Sequence, residues 1–555
     1  MESSVDPSWM VHLVSKVARS SSRYGLLELG VPAIGLFLTL GFCTVLLSYI
    51  RVLRQRSHLP PGPFPLPIVG NCLQLPKSKP WLQFKKWSQE YNSGLITVWI
   101  GRTPNVICND AWSASDLMEK KSSIYSSRPH YVVFGEVTKQ SKNNQILLPY
   151  NDHWRLQRKI MHIALNPQAI RPYRTFQADE SRVLMRDLLM DPNNFAHHFE
   201  RYACSLVTIL AWGRRLDTIN DSILKVALKM MDSVTMLQVP GNFWLEAIPE
   251  LQYLPTWLYS LPSQMRKFND AIRRFWWALD VEGSNQPDLC FSKKLVESSK
   301  GEGGLTAEDA GEMTSNLIGG GVDTTSSTLH TCVLGLCMFP DALAKAHAEL
   351  DRVVGRDRAP SWDDLDNLPY CLAVFKEAMR WRSVATLGAF AHSPVKDDYY
   401  RGYYFPAGIA VYGNTWAIHS NPNDFPDPDA FNPDRYLDEN RRPYPNKLGH
   451  NGFGWGRRTC SGQAFAEQGI SMTIVRMLWS YNIQPGLDEQ GNEVALDMWA
   501  YTDNENTQPL PFKARFTPRS EKIKEILLEE ASSARERLRS FDRESDISIE
   551  QFMAK

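Results

Sequence analysis

Ten residues, from Phe453 to Gly462, read Phe-Gly-Trp-Gly-Arg-Arg-Thr-Cys-Ser-Gly, and Ala464, Phe465 and Ala466 after them have the texture of a helix start. Glycines at 454, 456 and 462 let the backbone turn tightly and approach a flat ligand with no Cβ in the way. Arg457 and Arg458 precede Cys460 and a helix N-terminus follows it, the two kinds of neighbour that lower a thiol's pKa and make a thiolate available. A cysteine without context is more often a buried, inert thiol. Here the context favours a thiolate site.

The nine cysteines are an odd number, scattered, with no Cys-x-x-Cys pair. That argues against zinc ribbons, a disulfide framework and Cys-x-x-Cys-His attachment of haem, and for a reducing compartment. A length of 555 residues allows several domains or one large enzymatic one. With 43% hydrophobic and 22% charged residues the composition is globular. Formal net charge is zero and no basic run is interleaved with aromatics, so nucleic acid is not an expected partner.

Residues 29–50 carry no charge, and about 20 apolar residues suffice for one bilayer crossing. Pro32, Gly35 and Gly41 are tolerated in a membrane helix. A cleaved signal peptide fits poorly, because the run starts late and ends in Arg51, Arg54 and Arg56 rather than at a small-residue site. Lys16, Arg19 and Arg23 lie on the near side, so charge alone does not orient the span. Pro60, Pro61, Gly62, Pro63, Pro65 and Pro67 predict a stiff, extended spacer, with a ligand for an adaptor domain as the alternative.

Residues 95–108 read as a hairpin turning at Gly101, Arg102, Thr103 and Pro104. The texture is then helical to about residue 380, and a strand-rich patch spans 399–413, turning at Phe405 to Gly408. The predicted class is mainly α with small β-sheets. From Ser520 onward, alternating charge with a thin stripe of Ile523, Ile526 and Leu527 predicts a solvated helical appendage or a disordered tail.

Glu312 to Leu329 reads as a long helix interrupted by Gly319, Gly320 and Gly321, then Val322, Asp323, Thr324 and Thr325. Three helical glycines cost about 1 kcal/mol each against alanine, which close approach to a flat cofactor would offset. Asp323 and Thr324 then place an acid and a hydroxyl beside that groove; the alternative is a helix junction capped by one of them. Glu377 and Arg380, three apart, can pair on a helix. The same spacing at Glu349 and Arg352, Glu439 and Arg442, and Glu536 and Arg539 reads as surface pairing. The apolar company of Glu377 sets it apart. Trp154 and Arg158 share a helical face.

The cysteine segment closely resembles the haem-ligand loop of the cytochrome P450 superfamily, the haem-thiolate monooxygenases. The Glu312 to Leu329 run resembles that family's oxygen-activation helix and Phe431 to Tyr436 its arginine-bearing meander, in the family's order over residues 60–516. The resemblance implies the cytochrome P450 fold behind a single transmembrane helix. Its parts would be a flank at 1–28, the span at 29–50, a basic and proline-rich hinge at 51–67, a catalytic domain at 68–516 and a charged extension at 517–555. It implies haem b, iron protoporphyrin IX, with Cys460 as the metal ligand and Phe453 in the cofactor pocket. Trp154, Arg158 and Arg458 would anchor the propionates; His392 would join them, although a satisfied buried histidine reads nearly as well.

By the same resemblance, Asp323 and Thr324 are catalytic proton donors to O2, and Glu377, Arg380 and Arg435 form a buried structural network. NADPH-cytochrome P450 reductase would be a separate electron source, since no flavin or nicotinamide fingerprint is present. Arg155 and Lys159 face it or are ordinary solvated residues. Ser461 stands where proline is frequent in the family, a tolerated variant. The implied location is the endoplasmic reticulum membrane, single-pass, with the catalytic domain cytosolic and membrane lipid as a partner. Residues 131–148, Leu317 and Ile318, 384–390 and 499–502 would line a largely apolar pocket for a lipophilic small molecule. The texture resembles fungal microsomal members that tailor secondary metabolites. A haem-thiolate isomerase or dehydratase would usually lack the Asp323–Thr324 pair, and a non-catalytic haem carrier would not need it.

Overall fold

The computed structural model describes residues 26–286, 290–300 and 304–553. Its first helix, α1 (Leu26–Arg56), starts before the expected span and runs past it. From Ile34 onward it is long and apolar enough to cross a membrane, and Phe37, Leu38, Phe42 and Leu47 face outward with no protein core over them. Most of the expected flank at 1–28 lies outside the described residues.

The proline segment is not a free spacer. Thr97 donates its N–H to the Pro61 carbonyl (2.9 Å), and a Cβ on Gly62 would sit 2.0 Å from the Thr97 carbonyl oxygen, so glycine alone allows this approach. Tyr49 and Arg56, at the end of α1, donate to the carbonyls of Pro65 (3.0 Å) and Gly62 (3.2 Å). Helix α1 is thereby tied to the body.

Strands β1 (Leu95–Ile100) and β2 (Thr103–Cys108) pair antiparallel from Leu95 opposite Cys108 to Ile100 opposite Thr103. The turn is therefore Gly101 and Arg102 alone; Thr103 and Pro104, expected in it, are strand residues. Pro104 is tolerated because β5 joins β2 in parallel only from Asn105 onward, leaving no ladder bond for proline to break. Ahead of β5 (Ala410–Gly413), β3 (Asp398–Tyr400) and β4 (Tyr403–Phe405) form a second small sheet, and β6 (Tyr481–Pro485) with β7 (Ala514–Pro518) a third.

Helices fill the rest: α2 (Asp152–Leu165), α3 (Arg174–Met190), α4 (Phe195–Trp212), α5 (Ser222–Gln238), α6 (Leu261–Ser284), α7 (Ala307–Met338), α8 (Pro340–Val353), α9 (Pro369–Trp381), α10 (Gln463–Ser480) and α11 (Glu521–Leu538). Helix α7 is the spine. Its start is fixed by Thr306 and Asp309, each side chain bonding the other's backbone N–H. The three glycines do not interrupt it. A Cβ on Gly319 would meet Met231 (2.6 Å), and one on Gly321 would meet Val207 (2.3 Å), whereas Gly320 has nothing within 4 Å. Two of the three therefore serve close packing of α5 and α4, and only Gly320 has the open space expected of a cofactor groove.

Glu377 and Arg380, both fully buried on α9, form a two-pronged pair (2.7 and 2.8 Å). Arg435 reaches Glu377 at 3.2 Å, and both arginines also donate to backbone carbonyls between Pro426 and Ala430. Glu349, expected on the surface, is buried on α8 and accepts the N–H groups of Tyr370 (3.0 Å) and Cys371 (2.9 Å). An anion at the α9 N-terminus satisfies donors that a helix start leaves unpaired. Glu536 and Arg539 do pair on the surface.

The charged extension is part of the core rather than an appendage. Ser520 caps α11 (3.2 Å to the Ile523 N–H), and Ile523, Leu527, Ala531, Ala534 and Leu538 are buried as one helical stripe against α3. The stripe stayed hidden in the sequence because two of its members are alanines. Arg537 grips Asp179 with two bonds (2.6 and 2.9 Å), and Glu530 meets Arg182 and Arg476. Leu527→Ala is expected to destabilise the protein by about 2 to 5 kcal/mol, read as a lower urea midpoint; a solvated appendage would leave the midpoint unmoved.

Candidate active site

A cavity of about 740 Å³ is lined by the cysteine loop, α2, α5, α6, α7 and residues 384–392. Cys460 and Thr324 both line it, and the accessible surface of Cys460 belongs to it. The loop is held by the Cys460 N–H on the Phe453 carbonyl (2.9 Å) and the Gly454 N–H on the Asn451 carbonyl (3.0 Å). Gly456 has φ +54°, and a Cβ there would strike the Met118 carbonyl oxygen at 2.2 Å, so no other residue fits.

Burial, with Glu467 nearby, holds the Cys460 thiol above its ordinary value rather than below it as its neighbours in sequence suggest, although the N–H groups of Gly462 and Gln463, at the start of α10, and the Arg158 guanidinium pull it down. The cation acting on the sulfur is thus Arg158 from α2 rather than the arginines adjacent in sequence. Arg457 donates to the Tyr150 hydroxyl. Arg458 turns to the carbonyls of Ser126 (2.7 Å), Gln145 (3.0 Å) and Leu148 (2.6 Å), with its guanidinium over the Trp154 ring at 4.4 Å.

Arg128, Arg158 and Arg458 all line the cavity. Arg128 donates to the carbonyls of Ile146, Phe390 and Ala391, and Arg158 to the Thr459 carbonyl (2.7 Å) and the Ser461 hydroxyl (2.5 Å). Among the described residues no carboxylate pairs with any of the three. Burial, with Arg128 and Arg158 beside it, pushes the Arg458 guanidinium down to about 8; burial brings Arg128 to about 10. Guanidinium groups stay protonated in proteins, and unpaired buried charges are costly. The cluster is built for a ligand with more than one negative charge. His392 gives its Nδ1–H to the Tyr125 carbonyl (2.8 Å) and is driven down to about 3 by burial and by Arg128. Its ring is therefore neutral, with Nε2 as an acceptor.

Thr324 donates its hydroxyl to the Gly320 carbonyl (2.6 Å), one turn back on α7. Asp323 does not line the cavity. Its Oδ2 accepts from Asn506 Nδ2 (2.8 Å), and Asn506 does line it, so the acid reaches the cavity through an amide. Burial, with Asp232 and Glu200 nearby, pushes the Asp323 carboxyl up to about 6.

Of the expected lining segments, 131–148 contributes Phe134, Thr138, Gln140 and Asn144 to Ile146; Leu317 lines the cavity and Ile318 does not. Val384, Ala385 and Gly388 to Phe390 are lining residues, whereas none of 499–502 is. Trp499 instead packs on Arg382 (4.3 Å), and Asn506 takes its place at the cavity. Arg128 was not singled out in the sequence, since a lone arginine between Ser127 and Pro129 carries no spacing signal. The same holds for Met230, Met231, Met265 and Phe268 of α5 and α6, which read as ordinary core.

The cytochrome P450 family pattern matches residues 60–498. The chain is 30% identical over 510 residues to Cytochrome P450 monooxygenase 58 of Postia placenta, covering 89% of this chain and 95% of that protein. It is 33% identical over 504 residues to Cytochrome P450 monooxygenase 105 of the same fungus, with 88% and 94% covered. A cytochrome P450 monooxygenase of Armillaria gallica is 32% identical over 508 residues, with 88% and 95% covered. This chain belongs to the cytochrome P450 family. The family binds haem b with a cysteine thiolate as the iron ligand. A planar dicarboxylate beside a sulfur and three unpaired arginines fits the residues present.

Proposed function

We propose that this protein is a haem-thiolate monooxygenase that oxidises a lipophilic small molecule with O2 and electrons passed from NADPH by a separate reductase. The observation that carries this reading is that the Cys460 sulfur and the Thr324 hydroxyl line one largely apolar cavity with three half-buried guanidiniums that no carboxylate among the described residues pairs. When bound, haem b supplies iron for O2 and, through the thiolate, electron density that favours cleavage of the oxygen–oxygen bond. Cys460 would hold the metal. Arg128, Arg158 and Arg458 would pair with the propionates, with Trp154 and Phe453 packing beside them and His392 at the rim. Thr324 would pass protons into the cavity, and Asp323, held by the Asn506 amide, would be the acid that supplies them.

We further assign the protein to the endoplasmic reticulum membrane, single-pass through α1, with the body in the cytosol and a role in tailoring fungal secondary metabolites. Exposed apolar side chains support membrane contact: Phe64 and Leu66 near the end of α1, and Tyr253, Trp257 and Leu258. The second group lies next to the hairpin turn, where Arg102 pairs with Glu250 at 2.7 Å.

Reconstitution in lipid vesicles with a microsomal reductase tests the proposal. NADPH consumption should require both the reductase and a lipophilic substrate and should yield oxygenated product; turnover without reductase would overturn it. In this assay Asp323→Asn is expected to lower product formation by about a hundredfold, the low end for a lost general acid. The same change should raise stability at pH 7. An aspartate whose folded pKa lies near 6, above the unfolded value near 4, binds its proton more tightly when folded. It therefore withdraws stability as pH rises from about 4 through 6, up to about 3 kcal/mol above that window. A higher urea midpoint with lower turnover is the expected split; a purely structural Asp323 would not produce it.

A further inference from the structure

One wall of the cavity departs from its apolar character. Asn316, Gly320 and Thr324 are spaced by four along α7, so they share a stripe, and all three line the cavity. At 1.5 Å rise per residue, Asn316 stands about 12 Å from Thr324 along the helix. Behind it lies a buried amide network whose orientation follows from a single backbone group.

The Ile146 N–H can only donate, and it meets Asn144 Oδ1 at 2.9 Å, so that atom is the acceptor end of the amide. Asn316 must then present nitrogen to the same oxygen, as it does at 3.0 Å. Asn144 Nδ2 spends both hydrogens on Gln140 Oε1 (2.6 Å) and Glu312 Oε2 (3.2 Å). Gln140 in turn donates to Asn269, which leans on Glu312 (3.5 Å) and the Thr138 carbonyl (3.3 Å). Asn144, Gln140 and Glu312 are buried, and Asn144 has no capacity left. At the end of this network, Asn316 keeps an unbonded oxygen and one unbonded N–H, held in a fixed orientation at the cavity wall.

We infer that Asn316 is a head-group anchor that selects, among lipophilic molecules, those bearing a neutral hydroxyl about two helix turns from the carbon to be oxidised. A hydroxyl can donate to Asn316 Oδ1 and accept from its N–H. A methyl end would leave both unpaired, which buried polar groups penalise. A carboxylate cannot donate and would lie near Glu312. This inference rests on the haem-monooxygenase reading.

The test uses N-dodecylimidazole, its ω-hydroxy and its ω-carboxy derivatives, with decyl and tetradecyl homologues to bracket the length. The imidazole ligates the haem iron and shifts its Soret band, so each dissociation constant is read optically in the full-length holoprotein. At the best-fitting length the hydroxy compound should bind at least about fivefold tighter than the alkyl parent, the ratio equivalent to about 1 kcal/mol for one net hydrogen bond. The carboxy compound should bind more weakly than the hydroxy one. Asn316→Leu should abolish the preference while keeping or tightening binding of the alkyl parent, which also reports an intact haem site; Asn316→Ser should diminish it. Equal binding of alkyl and hydroxy compounds at every length, a preference surviving in Asn316→Leu, or tighter binding of the carboxy compound would overturn the inference. Absence of any imidazole shift in the wild type would instead overturn the haem-thiolate reading beneath it.

Discussion

Cys460→Ala is expected to give a protein whose reduced, carbon monoxide-bound spectrum lacks the thiolate-type Soret band and which turns over no substrate. No other cysteine lines the cavity, and six of the remaining eight are buried elsewhere, Cys43 lies on α1 and Cys72 is half-buried near the proline segment. No second thiolate can replace the lost one without rebuilding the fold, and the methionine thioethers that line the cavity would not give that band. Arg128, Arg158 and Arg458 remain in the variant and still attract a planar dicarboxylate, so band position rather than haem content is the measurement. A thiolate-type band persisting in Cys460→Ala would assign the metal to another ligand and remove the basis of the proposed function.

Glu377→Ala is expected to be strongly destabilising although it lies outside the site. The side chain is fully buried, and Arg380, also fully buried, has no other carboxylate within ion-pair distance among the described residues. Removing Glu377 leaves that cation uncompensated, leaves Arg435 with carbonyls alone, and takes the acceptor from the Asn432 N–H (2.9 Å). Breaking one partner out of a buried network costs about 3 to 5 kcal/mol, against a total of about 5 to 15 kcal/mol for a typical domain. The expected readouts are a sharply lower urea midpoint and little haem-loaded protein. Glu377→Gln, which keeps an acceptor for Asn432, should lose less. A midpoint for Glu377→Ala within about 1 kcal/mol of wild type would show that the network does not hold the fold.

The cysteine loop, the run through Asp323 and Thr324, and the pairing of Glu377 with Arg380 were legible in the sequence because each is a local pattern. Glycine, arginine and cysteine within ten residues carry their own geometry. Long-range placement was not legible. Nothing in sequence says that Arg158 rather than Arg457 faces the sulfur, or that Arg128 joins Arg458, because the fold alone brings those segments together. The stripe of α11 was misread for a different reason. Alanine contributes little to an apolar pattern yet is what lets two helices pack closely, so Ala531 and Ala534 looked like spacers between charges. Gly319 and Gly321 line the cavity as expected, but they also serve close packing against Met231 and Val207 of neighbouring helices, which no sequence pattern shows.

Arg537 closes on Asp179 across 358 positions of sequence. On the ribosome, the groove on α3 therefore waits, its apolar floor bare, until residues past 520 have emerged. Of the long helices α11 is made after all the others, and it completes this side of the body. A nascent chain stalled or shortened before residue 520 would present that groove to chaperones and proteases, and protein quality control, more than catalysis, would register the loss.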